Sequence, residues 1–155
     1  MLTHKHLIVL VIALFIAFYS YCYTRVPHVV QIIQVSLSQL KPSHLLEKQP
    51  IVISEPIVDP MSLIDSVFKF ISFSPKTAAH KTGHKLTQTD SRYTLISCKQ
   101  EGLVDVFHPK FTNVMNTPRA EFITFKLAPS QVLILPKKWW YQVKGDCTII
   151  RLSGF

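Results

Sequence analysis

The chain is poor in glycine, in cysteine and in negative charge, and each shortage removes a class of protein. Four glycines in 155 residues exclude collagen-like and glycine-rich low-complexity sequence, and leave no glycine loop to cradle a phosphate. Three cysteines are too few for the framework of a disulfide-rich mini-protein. Only nine Asp and Glu stand against 17 Lys and Arg, so the net charge is +8 and an acidic surface is the favoured partner: phospholipid, nucleic acid or an acidic protein. Charge alone does not choose among these. No Asn-x-Ser/Thr sequon marks a glycosylated lumenal domain. At this length the chain has room for one domain, and it contains no internal repeat.

What the chain has in excess is apolar residues, 48% of the total, concentrated at the N-terminus. Residues 7–24 carry no formal charge, a run of about 18 residues that matches the length of a membrane-crossing helix. The run ends in Phe18, Tyr19, Tyr21 and Tyr23, which suit an interfacial aromatic belt better than a cleavage site. Residues 1–24 are therefore expected to be a tail and a single-pass transmembrane anchor. Its sidedness stays open, because Lys5 and the α-amino group oppose Arg25, Lys41 and Lys48. In a juxtamembrane linker, residues 25–47, the spacing of Val29, Ile33, Leu37 and Leu40 predicts a helix that Pro42 stops.

From residue 48 to 155 the pattern is mainly that of short strands. Residues 50–54 form a β-branched run, and Asp59-Pro60 opens a helix with Leu63, Ile64, Val67, Phe68 and Ile71 on one face. Residues 74–92 are polar, basic and without period, and predict a long loop. Its Lys76, Lys81, Lys85 and Arg92 are candidate contacts for acidic membrane headgroups. The loop has no interleaved aromatics for stacking on bases, which argues against nucleic acid as a partner. His80 and His84 are four apart, but Thr82-Gly83 between them opposes a helix and only Asp90 is near as a further metal ligand. Residues 93–98 and 103–107 flank Glu101-Gly102 and predict a hairpin. Runs at 121–127, 131–135, 139–144 and 147–152 complete about seven strands, the count expected of a small barrel or jelly roll. Cys98 and Cys147 fall within strands, where buried free thiols are ordinary. Ile134, Val143, Ile149 and one of Trp139 and Trp140 are expected in one contiguous core.

The run Leu127-Ala-Pro-Ser-Gln-Val-Leu-Ile-Leu-Pro-Lys-Lys-Trp-Trp-Tyr-Gln-Val143 resembles a signature of the cupin-like, Jumonji-type oxygenase family, with Pro136, Trp139, Trp140 and Tyr141 at its centre. The runs at 93–109 and 48–55 are similar to that family's hairpin and its first strand. The resemblance covers nearly all of the chain after residue 47 and implies a double-stranded β-helix. It also implies an iron site, since that chemistry holds Fe(II) with two His and one carboxylate. The matching positions here are Leu86, Gln88 and Tyr141, none of which supplies the required ligand, and Glu101 stands near the place of a cosubstrate-pairing Lys. His108, with His80 or His84, is the remaining source of imidazole. On these departures the resemblance implies no metal, no cofactor and no catalysis, and a barrel that serves as a structural or interaction module with a protein partner. The format is similar to short anchored cupin-like proteins of large DNA viruses, which implies a place in a virion membrane or host endomembrane. Two alternatives stand beside this reading: a 2-oxoglutarate-dependent hydroxylase with displaced ligands, and a metal-free barrel that binds a small molecule.

Overall fold

The computed structural model describes residues 4–24, 30–67, 74–80, 85–110 and 122–153. In chain order the elements are α1 (His4–Thr24), β1 (Ile33–Val35), a 3-10 turn (Leu37–Gln39), α2 (Pro42–Leu46), β2 (Ile51–Ile53), α3 (Ser62–Val67), β3 (Ser74–His80), β4 (Thr87–Gln88), β5 (Tyr93–Cys98), β6 (Gly102–Phe107), β7 (Phe122–Leu127), β8 (Val132–Pro136), β9 (Trp140–Lys144) and β10 (Cys147–Ser153). The strands form a six-stranded sheet in the order β1-β2-β8-β5-β10-β3 and a four-stranded sheet in the order β4-β9-β6-β7. Among the described residues the chain is mainly β, with few helices, and the two sheets pack around a shared core as a small barrel.

Two apolar clusters explain this layering. Val52, Ile96, Leu133, Leu135 and Ile149 of the larger sheet meet Val104, Val106, Phe125, Leu127, Tyr141 and Val143 of the smaller one, and Trp139 joins them. The opposite face of the larger sheet buries Ile51, Ile53, Leu95, Val132, Ile134, Ile150 and Leu152 beneath Leu45 of α2 and Leu63 of α3. The larger sheet is thus covered on both faces, and β5 and β8 are buried at every position. The smaller sheet alternates buried with exposed residues, as β7 and β9 show. Ile134 belongs to the outer cluster and not with Val143 and Ile149, because its β8 neighbours Leu133 and Leu135 take the inner face.

Several expectations are corrected. The stripe through Ile33, Leu37 and Leu40 is not a helix: Ile33 N–H donates to Pro50 O, and β1 pairs in parallel with β2. A neighbouring strand edge offers backbone partners that outweigh a short helix's weak nucleation, and Val29 lies outside the described residues. The polar segment 74–92 is not a plain loop. All seven residues of β3 pair with β10, from Ser74 opposite Ser153 to His80 opposite Cys147. Edge pairing is a backbone matter and needs no apolar pattern. The strands around Glu101-Gly102 do not form a hairpin, since β5 pairs with β8 and β10 while β6 pairs with β7 and β9. The chain changes sheet at 99–101. Cys98 and Cys147 are not free thiols but a disulfide joining directly opposed residues of β5 and β10. Gly102 lies against it, where an added Cβ would come within 2.5 Å of Cys98 Sγ.

The helix start at Asp59-Pro60 is present: Asp59 Oδ1 accepts the Met61 N–H at 2.9 Å, its carbonyl accepts Ser62 N–H, and Leu63 is buried behind it. Phe68 and Ile71 lie outside the described residues. The anchor is corrected. Among the described residues no helix is long and apolar enough to cross a membrane. Side chains of α1 are described from residue 6 to 21. Over that stretch Leu7, Val9, Leu14, Phe15 and Phe18 are exposed. The single-pass localisation is therefore withdrawn.

Candidate functional site

The connections set the two ends of the barrel apart. At one end three short links, 99–101, 128–131 and 145–146, join strands directly above the Cys98–Cys147 disulfide. At the other, the turn 137–139 meets the segment that leads from β4 into β5. Thr89 N–H donates to Trp139 O at 2.8 Å, Thr89 Oγ1 donates to Pro136 O at 2.7 Å, and Lys138 N–H donates to Thr89 O at 2.9 Å. Lys138 takes a left-handed backbone conformation, φ 76°, to close this turn.

That turn positions the tryptophan pair on opposite faces. Trp139 is 1% exposed, and its indole Nε1–H donates to Lys48 O at 3.0 Å, tying the turn to the segment before β2. Trp140 faces outward beside Phe107 and Gln88, and its Nε1 is buried without a hydrogen-bond partner among the described residues. Pro136 and Trp139 hold the corner together, and Tyr141 points into the barrel, fully buried.

The register places Thr87 opposite Tyr141 and Gln88 opposite Trp140. Thr87 shares the inner face with Tyr141, whereas Gln88, and by alternation Leu86, face the other way. Leu86, Gln88 and Tyr141 are thus not brought together. Toward the inner face lie Tyr141, Thr87 opposite it, whose Oγ1 donates to Lys85 O at 2.9 Å, and, past the end of β6, His108. Val106 pairs with Tyr141 and Phe107 with Trp140, so the next residue, His108, falls beside Trp139, with ring centroids 5.5 Å apart and planes 72° apart. His108 is buried, and its Nδ1 accepts the Lys110 N–H at 3.1 Å, which puts the proton of the neutral ring on Nε2. One imidazole and two hydroxyls do not fit an Fe(II) site that needs two imidazoles and a carboxylate. Among the described residues no three His, Cys, Asp or Glu side chains gather as metal ligands.

The basic residues of segment 74–92 separate. Lys76 lies exposed on β3, Lys85 is exposed ahead of β4, and the Arg92 carbonyl accepts Lys137 N–H; Lys81 lies outside the described residues. His80 is the last residue of β3, and His84 lies outside the described residues. Sequence reasoning passed over Asp105, a buried carboxylate on the outer face of the smaller sheet that accepts from Thr124 Oγ1 and from Lys144 Nζ, each at 2.7 Å. A charge inside the apolar run 103–107 was the available signal. With two donors satisfying it, Asp105 stitches β7, β6 and β9 together.

No family model and no curated protein matches the chain. Solved structures do, at low likeness. They include dTDP-4-dehydrorhamnose 3,5-epimerase from Bacillus anthracis with TDP and PPi bound, at 10% identity and TM-score 0.36, covering 61% of this chain and 60% of that one. A dTDP-6-deoxy-D-glucose-3,5-epimerase from Legionella pneumophila matches at 10% identity and TM-score 0.38, over 63% of this chain and 56% of that one. RmlC from Streptococcus suis in complex with dTDP-D-xylose matches at 7% identity and TM-score 0.35, over 63% and 50%. The chain thus spans between 50% and 60% of the length of these proteins. No substrate is carried across at this level of likeness.

These findings correct the functional expectation. The expectation of a membrane-anchored, non-catalytic module is not kept: among the described residues no helix is long and apolar enough to cross a membrane, and the solved structures that match carry the names of epimerases, a likeness that assigns no activity to this chain. The viral format finds no support in these structures.

Proposed function

We propose that the barrel binds a small molecule at its Trp139 end and acts on it by acid–base chemistry without a bound metal. The observation that carries this reading is a buried imidazole, His108, one residue past the end of β6, and a buried phenol, Tyr141 of β9, opposite Val106 on the inner face. Imidazole and phenol can each give and take a proton, and walls of Val106, Leu135 and Trp139 keep water from competing. The Pro136-Trp139-Trp140 corner supports a Jumonji-like packing of β8 and β9, separated here from iron chemistry. Tryptophan fluorescence of the full chain provides the test, since Trp139 touches His108. Titration with a panel of neutral sugars, sugar phosphates and dicarboxylates should give a saturable change with at least one class. His108→Gln should weaken it, and bound carbonyl compounds should take up deuterium from D2O in a manner that Tyr141→Phe slows. A silent panel, or stoichiometric Fe(II) in the purified protein, would overturn the proposal.

A further inference from the structure

One row of the larger sheet carries charge that nothing in the described chain balances. At the Trp139 end, Lys76 of β3, Arg151 of β10, Thr94 of β5 and Leu135 of β8 stand opposite one another in register. By alternation the row lies on the same face as Ile96 and Ile149, which is the inner face of the barrel. Two cations directly opposed across a strand pair repel each other. Among the described residues neither meets a carboxylate: the ion pairs there are Lys126 with Glu101 and Lys144 with Asp105, both elsewhere. Next to Arg151 in the row is Thr94, which is 0% exposed and whose Oγ1 has no hydrogen-bond partner among the described residues. A buried hydroxyl left unpaired is unfavourable, and so is an unbalanced pair of cations. One occupant relieves both: an oxyanion, which accepts from a hydroxyl, from a guanidinium fork and from an ammonium at once.

We infer that Arg151, Lys76 and Thr94 form a subsite for the carboxylate or phosphate group of a small molecule at the Trp139 end of the barrel. Assigning the ligand a negative charge rests on the reading of that end as a ligand site, though it draws on a different set of residues. Tyr141 and Thr87 lie on the facing sheet, so a molecule anchored by its anionic group at Arg151 would extend toward His108. Arg151 supplies a planar, always-charged fork, Thr94 a single directed donor, and the exposed Lys76 a point charge at the rim.

Full-length protein titrated separately with inorganic phosphate and with succinate, followed by thermal unfolding and by the amide signals of Thr94 and Arg151, tests this. Sodium chloride at matched ionic strength serves as the screening control. The expected result is saturable stabilisation by at least one of the two anions, with the stronger arm telling phosphate from carboxylate. Arg151→Gln should weaken it by at least about tenfold, Lys76→Gln by less, and Thr94→Val by a few-fold. Arg151→Lys keeps the charge and guards against a variant that does not fold; it should bind more weakly than the parent through loss of the bidentate fork. Responses no larger than those to chloride, or equal in Arg151→Gln, would overturn the subsite. Were neutral sugars to bind while both anions failed, the subsite would fall and the acid–base reading would stand. Anion binding with no effect of His108 or Tyr141 substitution on any ligand would do the opposite, leaving the subsite in place and removing the acid–base reading.

Discussion

The two ends of the barrel are built from opposite materials. At one end a disulfide, a glycine packed against it and Leu127 close the space with apolar contacts and a covalent bond. At the other, a histidine, a tyrosine, a threonine hydroxyl and two cations sit on the rim of the same apolar core. Residues at the first end relieve each other's exposure; at the second, Thr94 Oγ1 has no partner among the described residues, and Lys76 and Arg151 repel. A domain of this size has only a few kcal/mol of net stability, so an end that holds such groups does so at the expense of the fold. The difference separates what keeps the barrel closed from what a ligand would use.

Substitutions can break or sharpen this contrast. The largest effect is expected from Cys98→Ala with Cys147→Ala. The bond spans 49 residues, and releasing a loop of that length from the unfolded chain costs about 4 kcal/mol of stability, to be read from urea unfolding. A loss below about 1 kcal/mol would show that the short links alone close that end. Gly102→Ala is next. Its methyl would press on both sulfurs, whose positions the disulfide fixes, and should cost about 1–3 kcal/mol. In the background of Cys98→Ala and Cys147→Ala most of that cost should vanish, because the obstructing sulfurs are gone; additive effects would mean that Gly102 is held by backbone geometry instead. The smallest effect has the opposite sign. Thr94→Val removes a buried hydroxyl with no partner among the described residues and should stabilise the free protein by about 1 kcal/mol while weakening anion binding. Destabilisation by Thr94→Val would place a satisfied hydroxyl at that position and erase the contrast between the ends.

How far the sequence could be read depended on how each sheet is covered. In the smaller sheet, one exposed face imposes alternation, yet in β7 the outward Phe122 blurs it against Ile123 and Phe125. In the larger sheet both faces are buried, so β5 and β8 read as unbroken apolar runs whose inner and outer residues look alike. This is why Ile134 could not be told from Leu133 and Leu135 by pattern. The strand β3 was illegible for the opposite reason: its pairing uses backbone groups, and its residues carry no apolar signal. The motif around Trp139 falls at the turn between β8 and β9. The register then moved the inward partner of Tyr141 from the expected positions to Thr87. A shift of one residue turns every side chain to the other face, and no local pattern in so short a strand resolves it.

The sequence by itself determined that the chain is mainly β from residue 48 onward, where most strands begin and end, and which turn carries the tryptophan pair. These follow from short-range chemistry: β-branched runs, prolines and glycines act within a few residues of themselves. Only the tertiary structure decided that Cys98 meets Cys147, that β5 and β6 part into different sheets, and that Arg151 faces Thr94 and Lys76. Each of these joins positions far apart in the chain. Their meeting depends on which strands pair and in what register, and that is set by burying the two faces of the larger sheet at once.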